Sequence, residues 1–331
     1  MTKLVIQIPC LNEGLTLPQT LRDLPTHVPG IDIIEVLVID DGSDDDTSEV
    51  ARACGVHRVV RFRSNKGLAA AFMAGLDTAL KMGADYIVNT DADNQYSGAD
   101  IPALLAPLLC GKADIVVGDR NVRTLRHMPR LKRWLQVCGS WVVRQVSNTQ
   151  VPDTTSGFRA YSREAALRQT IVSEFSYTLE SIIQAGKKRM AITHVPVATN
   201  ASTRDSRLFN SVSSYIQKSA ATIVRTYTMY EPLKVFPSIG LMTFSVGFAI
   251  SLRFLYYYFD GAGQGHLQSL VLSAVLMIVG FQVLLIGLVA DVISANRKLT
   301  EELLYRVRSI ELTGRAANTA EAPDERPKGG D

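Results

Sequence analysis

The sequence predicts an open, mostly parallel α/β sheet with flanking helices, followed by an interfacial helix and two membrane-crossing helices. Three observations predict it: short apolar runs alternate with helically spaced ones over residues 1–120, a basic amphipathic segment follows, and two long apolar stretches stand near the C-terminus. With 331 residues, 47% of them hydrophobic and 20% charged, the chain can bury a large core and keep a polar surface. Its formal charge of +3 is too small to argue for nucleic acid. Cys10, Cys54, Cys110 and Cys138 form no CxxC pair and read as reduced cytosolic thiols rather than a zinc site. The N-terminus runs at once into a strand-like segment without the regions of a signal peptide, so the domain is expected to stay in the cytoplasm.

The apolar runs place strands at 3–8, 34–40, 57–62, 86–90 and 114–117. Between them, 15–24, 47–54, 67–82 and 101–109 carry apolar residues at helical spacing. In such a sheet ligands collect beyond the carboxyl ends of the strands, which is where chemistry is to be sought.

A helix needs about 20 residues to cross roughly 30 Å of hydrocarbon. The stretch 235–252 is charge-free and extends through Arg253 to 258, and 267–290 contains no charge, so both are long enough. The connection 259–266, with Gly261, Gly263 and Gly265, permits only a tight hairpin, so both outer flanks lie on one side. Lys218, Arg225 and Lys234 precede the hairpin and Arg297, Lys298, Arg306 and Arg308 follow it, which puts those flanks in the cytoplasm. Tyr256, Tyr257 and Tyr258 form an aromatic belt at the outer end, where Arg253 snorkels to the headgroups. The segment 209–230 reads as a helix lying in the inner interface, with an ordinary surface helix as the alternative. The expected organisation is a cytoplasmic domain over 1–207, an interfacial helix over 208–232, a two-helix hairpin over 233–293, a cytoplasmic helix over 294–313 and a disordered tail over 314–331. An isologous homo-oligomer through the hairpins fits this layout.

Asp40-Asp41-Gly42-Ser43 follows the second strand, where carboxylates can accept hydrogen bonds from a base edge or a ribose. An acidic turn with Thr47 capping the next helix is the alternative. Asp91-Ala92-Asp93, then Asn94 and Gln95, follow the fourth strand; two carboxylates flanking a small residue can hold Mg²⁺ or Mn²⁺ and leave positions open for phosphate oxygens. A solvated loop is the alternative there. Asn65-Lys66-Gly67 opens a helix whose N-terminus favours phosphate, and whose Ala69, Ala70, Ala71, Ala74 and Gly75 suit close packing or close approach of a ligand. The segment 127–146 combines Met128, Leu131, Trp134, Leu135 and Val142 with Arg130, Lys132 and Arg133, as in an amphipathic lid touching lipid or in a plain packing helix.

In order and spacing these pieces, with Pro9-Cys10-Leu11-Asn12-Glu13, resemble the family 2 glycosyltransferases of GT-A fold over roughly residues 3–200. Gly118-Asp119-Arg120, the stretch 153–159 and a basic segment with Arg204 and Arg207 narrow the likeness to the polyprenyl-phosphate glycosyltransferases, the group of dolichol-phosphate mannose synthases and undecaprenyl-phosphate sugar transferases. The resemblance implies an inverting transfer of a hexose from a UDP- or GDP-sugar to undecaprenyl or dolichyl phosphate at the cytoplasmic membrane face. It also implies a nucleotide-sugar site of Pro9, Leu11, Glu13, Asp40, Asp41, Lys66, Asp91, Ala92 and Asp93, with Mg²⁺ or Mn²⁺ at Asp91, Asp93 and Gln95. Asp93 would act in catalysis, with Arg120, Arg204 and Arg207 facing phosphate groups of donor or acceptor. The chain departs from its relatives at Asp119, where they carry Ser or Arg, and its basic segment, 202–207, matches only loosely.

A phosphate monoester has a second pKa of about 6 and is already a nucleophile near neutrality, so the expected reaction needs cations around the acceptor rather than a base. Arg120, Arg130, Lys132, Arg133, Arg204 and Arg207 are available, and Glu180 is expected to position rather than to transfer a proton. Two rivals are weighed. A processive polysaccharide synthase would need more spans and a Gln-x-x-Arg-Trp motif, for which Lys132-Arg133-Trp134 lies too early. A non-catalytic nucleotide-sugar-binding membrane adaptor is opposed by intact Asp40, Asp91 and Asp93.

Overall fold

In the computed structural model, residues 1–121, 130–173, 177–200, 212–260 and 267–321 are described. The strands are β1 (Lys3–Cys10), β2 (Ile33–Asp40), β3 (Arg58–Arg61), β4 (Tyr86–Asn89), β5 (Ile115–Asp119), β6 (Arg159–Ser162) and β7 (Ile192–Pro196). The helices are α1 (Leu17–Arg22), α2 (Thr47–Ala53), α3 (Leu68–Lys81), α4 (Ile101–Leu109), α5 (Arg130–Ser147), α6 (Arg163–Arg168), α7 (Tyr177–Lys187), α8 (Val212–Tyr230), α9 (Pro232–Phe259) and α10 (Leu267–Glu321). By contact density the chain divides into two units, one holding residues 1–223 with the segment from 303 onward, the other 224–302.

The first unit is built on a sheet ordered β3-β2-β1-β4-β6-β5-β7. Its strands are parallel except β6, which runs antiparallel to both β4 and β5. The side-chain period of two sorts each strand between two cores. Leu4, Ile6 and Ile8 of β1 pack with Leu17, Ala51, Ile101, Leu104 and Leu105 on one face. Val5, Leu37 and Ile39 pack with Phe72, Leu76, Ile182 and Ile183 on the other. Fully burying side chains of this size stabilises by about 1.5–3 kcal/mol each, which makes β1 and α3 the anchor of the domain. Register then fixes the functional edge: Cys10 pairs with Asp40, and Gln7 with Asn89, so the chain leaves β1, β2 and β4 at one rim of the sheet. Arg159 starts the reversed strand opposite Asn89 and Val117, at that same rim.

The end of α10 completes this unit. Arg308 Nη1 donates to Leu167 O at 3.2 Å and Gln169 O at 2.9 Å, satisfying carbonyls at the C-terminus of α6 that the helix itself leaves orphaned. Tyr305 donates to Glu164 at 3.0 Å, and Leu312 is buried in the core. Helix α10 runs unbroken through the stretches expected as a separate helix (294–313) and as the start of a disordered tail, reaching Glu321.

The second unit holds two helices long and apolar enough to cross a membrane, with little of their apolar length buried. They meet through glycines seven residues apart on each helix, the small-residue contact that lets helix backbones approach closely. A Cβ on Gly240 would stand 2.9 Å from Gly280 O, and one on Gly247 would stand 2.9 Å from Leu276 Cβ. A Cβ on Gly287 would stand 2.9 Å from Phe236 Cβ. Their outward faces expose large apolar side chains, among them Leu241, Met242, Phe248, Val271, Phe281 and Ile286.

Candidate active site at the carboxyl rim of the sheet

The loops after β1 and β2 are stitched together. Asn12, at a positive φ of 56°, receives on its side-chain oxygen the Asp44 N–H at 2.8 Å and donates its own N–H to Ser43 Oγ at 2.9 Å. Glu13 N donates to Thr47 Oγ1 at 2.8 Å, while the Glu13 carboxylate, buried, accepts from Thr16 Oγ1 at 2.6 Å. Pro9 is buried within β1, paired with Ile39, and Leu11 is half-buried in the loop beyond it. Gly42 has a positive φ of 73° and lies against the Ser64–Asn65 backbone, where a Cβ would come within 2.5 Å, so only glycine fits.

The two expected nucleoside acids differ in what they hold. Asp40 is fully buried, accepting from Ser43 N at 2.8 Å and from Ser48 Oγ, with Arg61 Nε 3.5 Å away. Its oxygens shape the acidic turn. Asp41 accepts from Lys66 N at 2.7 Å and Gly67 N at 2.9 Å, so it caps the start of α3. Burial raises its carboxyl above the ordinary value despite those two donors. The Lys66 ammonium lies over the Phe62 ring at 4.8 Å. Beside this turn a depression of about 390 Å³ is lined by Gly42, Ser43, Asp44, Arg61, Phe62 and Arg63.

After β4 the chain makes a compact loop. Gln95 N donates to Asp93 Oδ1 at 3.1 Å, Ala92 O accepts from Thr20 at 2.9 Å, and Asn94 takes a positive φ of 54°. Burial first, and the neighbouring charge of Asp93 second, push the Asp91 carboxyl up to about 7. Two acids crowded in a poorly solvated loop are a donor set that a divalent cation would relieve, and Asp91 and Asp93 could offer it hard oxygens. Among the described residues no group of three or more His, Cys, Asp or Glu is placed to hold a metal ion.

A wall from distant segments faces Asp91. A Cβ placed on Gly157 would stand 3.0 Å from both Asp91 carboxylate oxygens. Asn89 donates to Gly157 O at 2.9 Å and to Tyr177 Oη at 2.8 Å, and accepts from Gln7 at 2.8 Å. Gly157 N donates to Tyr96 Oη at 3.2 Å, and the Tyr177 ring stacks on Phe72 at 3.9 Å. Arg159 lies fully buried beneath the wall, donating to Ser156 O at 2.8 Å, Thr154 O at 2.9 Å and Ser181 Oγ at 2.5 Å. None of Asn89, Tyr96 and Tyr177 stands in the expected site. Gln7 and Asn89 did carry a signal, as lone amides inside apolar strands.

Arg120 makes a fork with Asp153, Nε to Oδ2 at 2.7 Å and Nη2 to Oδ1 at 3.0 Å, and Nη2 also reaches Thr155 at 2.8 Å. Its Nη1 has no hydrogen bond among the described residues, and its charge is felt at Asp91. Asp119 accepts the Asn121 N–H at 2.9 Å, at the edge of a second depression of about 250 Å³ bounded by Gln136, Ser140 and Arg144 of α5. Glu180 is buried with both oxygens engaged, by Val172 N at 3.1 Å and Ser173 N at 2.8 Å. Arg204 and Arg207 lie outside the described residues.

Residues 5–168 match the family profile described as glycosyl transferase family 2, and residues 231–295 match a profile described as the GtrB C-terminal hairpin. Among similar proteins, a UDP-N-acetylglucosamine–dolichyl-phosphate N-acetylglucosaminyltransferase of Methanococcus voltae is 26% identical over 213 residues, 58% of this chain and 83% of that one. An undecaprenyl-phosphate mannosyltransferase of Micrococcus luteus is 35% identical over 161 residues, 46% of this chain and 64% of that one. The fold is shared with glucosyl-3-phosphoglycerate synthase of Mycobacterium tuberculosis, solved with Mn²⁺, UDP-glucose and phosphoglyceric acid, at TM-score 0.56 and 22% identity over 68% of this chain and 80% of that one.

Proposed function

The chain belongs to glycosyl transferase family 2 and is a glycosyltransferase, and from that premise we propose that it transfers a hexose from a UDP- or GDP-sugar to the phosphate of a polyprenyl phosphate, with inversion, at the cytoplasmic face of a membrane. One observation carries this reading: the acidic Asp91–Asp93 loop stands at the sheet rim against the Gly157 wall, in a chain that also holds two helices fit to cross a bilayer. Relatives named for undecaprenyl and dolichyl phosphate support the acceptor class.

Asp91 and Asp93 would hold Mg²⁺ or Mn²⁺, with Gln95 at its edge, and the cation would supply neutralisation of the leaving diphosphate. The protein's own residues do the rest. Asp41 takes the Lys66 and Gly67 amides and so ties down the N-terminus of α3, whose helix dipole faces the donor side. The loop of Pro9, Leu11 and Glu13 and the Asp40 turn, tied by Asn12 and Ser43, form the floor for the nucleoside. Asp153 and Thr155 hold the Arg120 guanidinium still, leaving Nη1 for an acceptor phosphate oxygen. That phosphate attacks as a dianion, so no side chain need take a proton, in keeping with a Glu180 that is occupied elsewhere. Arg204 and Arg207 are proposed as further phosphate-binding cations on sequence grounds alone.

The test incubates membranes holding the chain with labelled nucleotide-sugars and undecaprenyl phosphate, with and without chelator. Label entering the lipid phase only with the acceptor and a divalent ion supports the proposal. Metal-independent transfer, or label in a growing polysaccharide, overturns it.

A further inference from the structure

Strand β6 opens with a cation that water cannot reach. Arg159 is 0% exposed, and among the described residues its hydrogen bonds all go to neutral oxygens: Nε to Ser156 O at 2.8 Å, Nη2 to Thr154 O at 2.9 Å and Nη1 to Ser181 Oγ at 2.5 Å. Its Cζ lies 5.8 Å from the centre of the Tyr177 ring. A guanidinium withdrawn from water with no carboxylate hydrogen-bonded to it is strongly disfavoured, and an apolar side chain facing the same core would fold more stably. Its use lies in what it holds. The loop 153–157 ahead of it is irregular, and Thr154 and Ser156 are fully buried, so their carbonyls need protein donors. The rigid fork of arginine supplies two at the spacing of alternate peptides, which the compact ammonium of lysine does not.

With those carbonyls held, the rest of the loop serves two sides of the site. Asp153 and Thr155 take the Arg120 guanidinium, at 2.7 and 3.0 Å and at 2.8 Å. Gly157 stands against Asp91, where an added Cβ would lie 3.0 Å from both carboxylate oxygens. We propose that Arg159 is a positioning residue that shapes the 153–157 loop and through it sets Asp91, on the cation side, and Arg120, on the acceptor side, in one fixed relation. Full burial keeps it from touching either substrate. Ser181 of α7 is its outer anchor, accepting from Arg159 while donating to Thr178 O at 3.2 Å, so the guanidinium is tied to a helix as well as to the loop. The proposal rests on the reading of Asp91 as a cation ligand and of Arg120 as a phosphate partner, and it adds the residue that couples them.

The test takes two readouts on full-length variants in detergent micelles. One is Mn²⁺ affinity without turnover, from the paramagnetic resonance of free Mn²⁺ titrated with protein and UDP or GDP. The other is the KM for undecaprenyl phosphate. Arg159→Lys keeps the charge and loses the fork, and is expected to raise both the Mn²⁺ dissociation constant and the acceptor KM at least about fivefold. Ser181→Ala removes only the outer anchor and is expected to raise both by about two- to threefold, which carries the test should the Arg159 variant fail to fold. Thr155→Val cuts the loop's hold on Arg120 alone, so it is expected to raise the acceptor KM and to leave Mn²⁺ affinity within about twofold. Folded Arg159→Lys and Ser181→Ala chains that melt lower yet keep the parental Mn²⁺ affinity and acceptor KM overturn the proposal, as does a shift confined to one of the two readouts. A parent chain that neither binds Mn²⁺ nor saturates with the acceptor overturns the reading of the site, and the positioning role with it.

Discussion

Gly157 leaves no room for a side chain beside Asp91: an added Cβ would stand 3.0 Å from each carboxylate oxygen and 3.1 Å from Tyr177 Oη. The glycine is not there for its backbone freedom, since it is absent from the positive-φ residues. It is there for space. Gly157→Ala is therefore expected to fold and to displace the Asp91 carboxylate by a few tenths of an ångström. A misplacement of that order in a site that works by positioning is expected to lower kcat about tenfold. Thermal melting should move by only a few degrees, so steady-state kinetics beside a melting curve separates the two effects.

Asp93 and Glu180 make a matched pair of acids with opposite expected roles. Asp93 stands in the loop that a cation would bridge, whereas Glu180 spends both oxygens on Val172 and Ser173 amides. Asp93→Asn is expected to reduce transfer by at least about a hundredfold and to weaken the response to added Mn²⁺. Glu180→Gln keeps one acceptor and should hold kcat within about threefold, at a stability cost of roughly 1 kcal/mol. Equal loss of turnover in both variants would point to a base and hence to a hydroxyl acceptor.

The legible parts of this chain were those whose signal is local. Strands β1 to β5 announce themselves as apolar runs ending in polar turns, and Asp91 and Asp93 are conspicuous because they follow one. Strand β6 does not: it is four residues long and opens with Arg159, a residue that looks exposed in sequence and is fully buried in the fold. Its reversed direction is invisible to periodicity, because alternation is the same in either sense. The wall behind Asp91 was hidden for a different reason. Asn89 meets Gly157 across 68 positions and Tyr177 across 88, and no spacing rule brings such partners together. Likewise Asp40 and Asp41 look equivalent on paper, yet one holds its own turn and the other caps α3.

The Arg120–Asp153 fork makes a pH-dependent contribution whose sign can be worked out. Burial alone would raise the Asp153 carboxyl, but the Arg120 charge and hydrogen bonds outweigh it and hold the group below the usual carboxylate range. A depressed folded value means stability that is fully present above the unfolded value of about 3.9 and is lost as pH falls toward the folded one. Asp153→Asn removes that acid-side dependence and leaves the largely buried guanidinium without its counter-charge, at a cost of about 3 kcal/mol near neutrality. Denaturant titrations across the acid range should give converging stabilities for the two proteins at low pH and a full gap above it.

The hairpin admits a test that does not depend on activity. Gly280 faces Gly240 across the two apolar helices, where an added Cβ would come within 2.6 Å of Phe244 N and 2.8 Å of Gly240 O. Both neighbours are backbone, so neither can yield by a rotamer change, and Gly280→Val must force the helices apart. Overpacking of this kind costs about 1–3 kcal/mol or more. A glycine in the same helix without such a neighbour provides the contrast: Gly314 has nothing within 4 Å of its added Cβ, and Ala there should gain up to about 1 kcal/mol of helix propensity. Melting in detergent micelles is therefore expected to fall for Gly280→Val and to hold or rise for Gly314→Ala. If Gly280→Val melted with the parent chain, the close glycine contact between α9 and α10 would not be what holds the pair together.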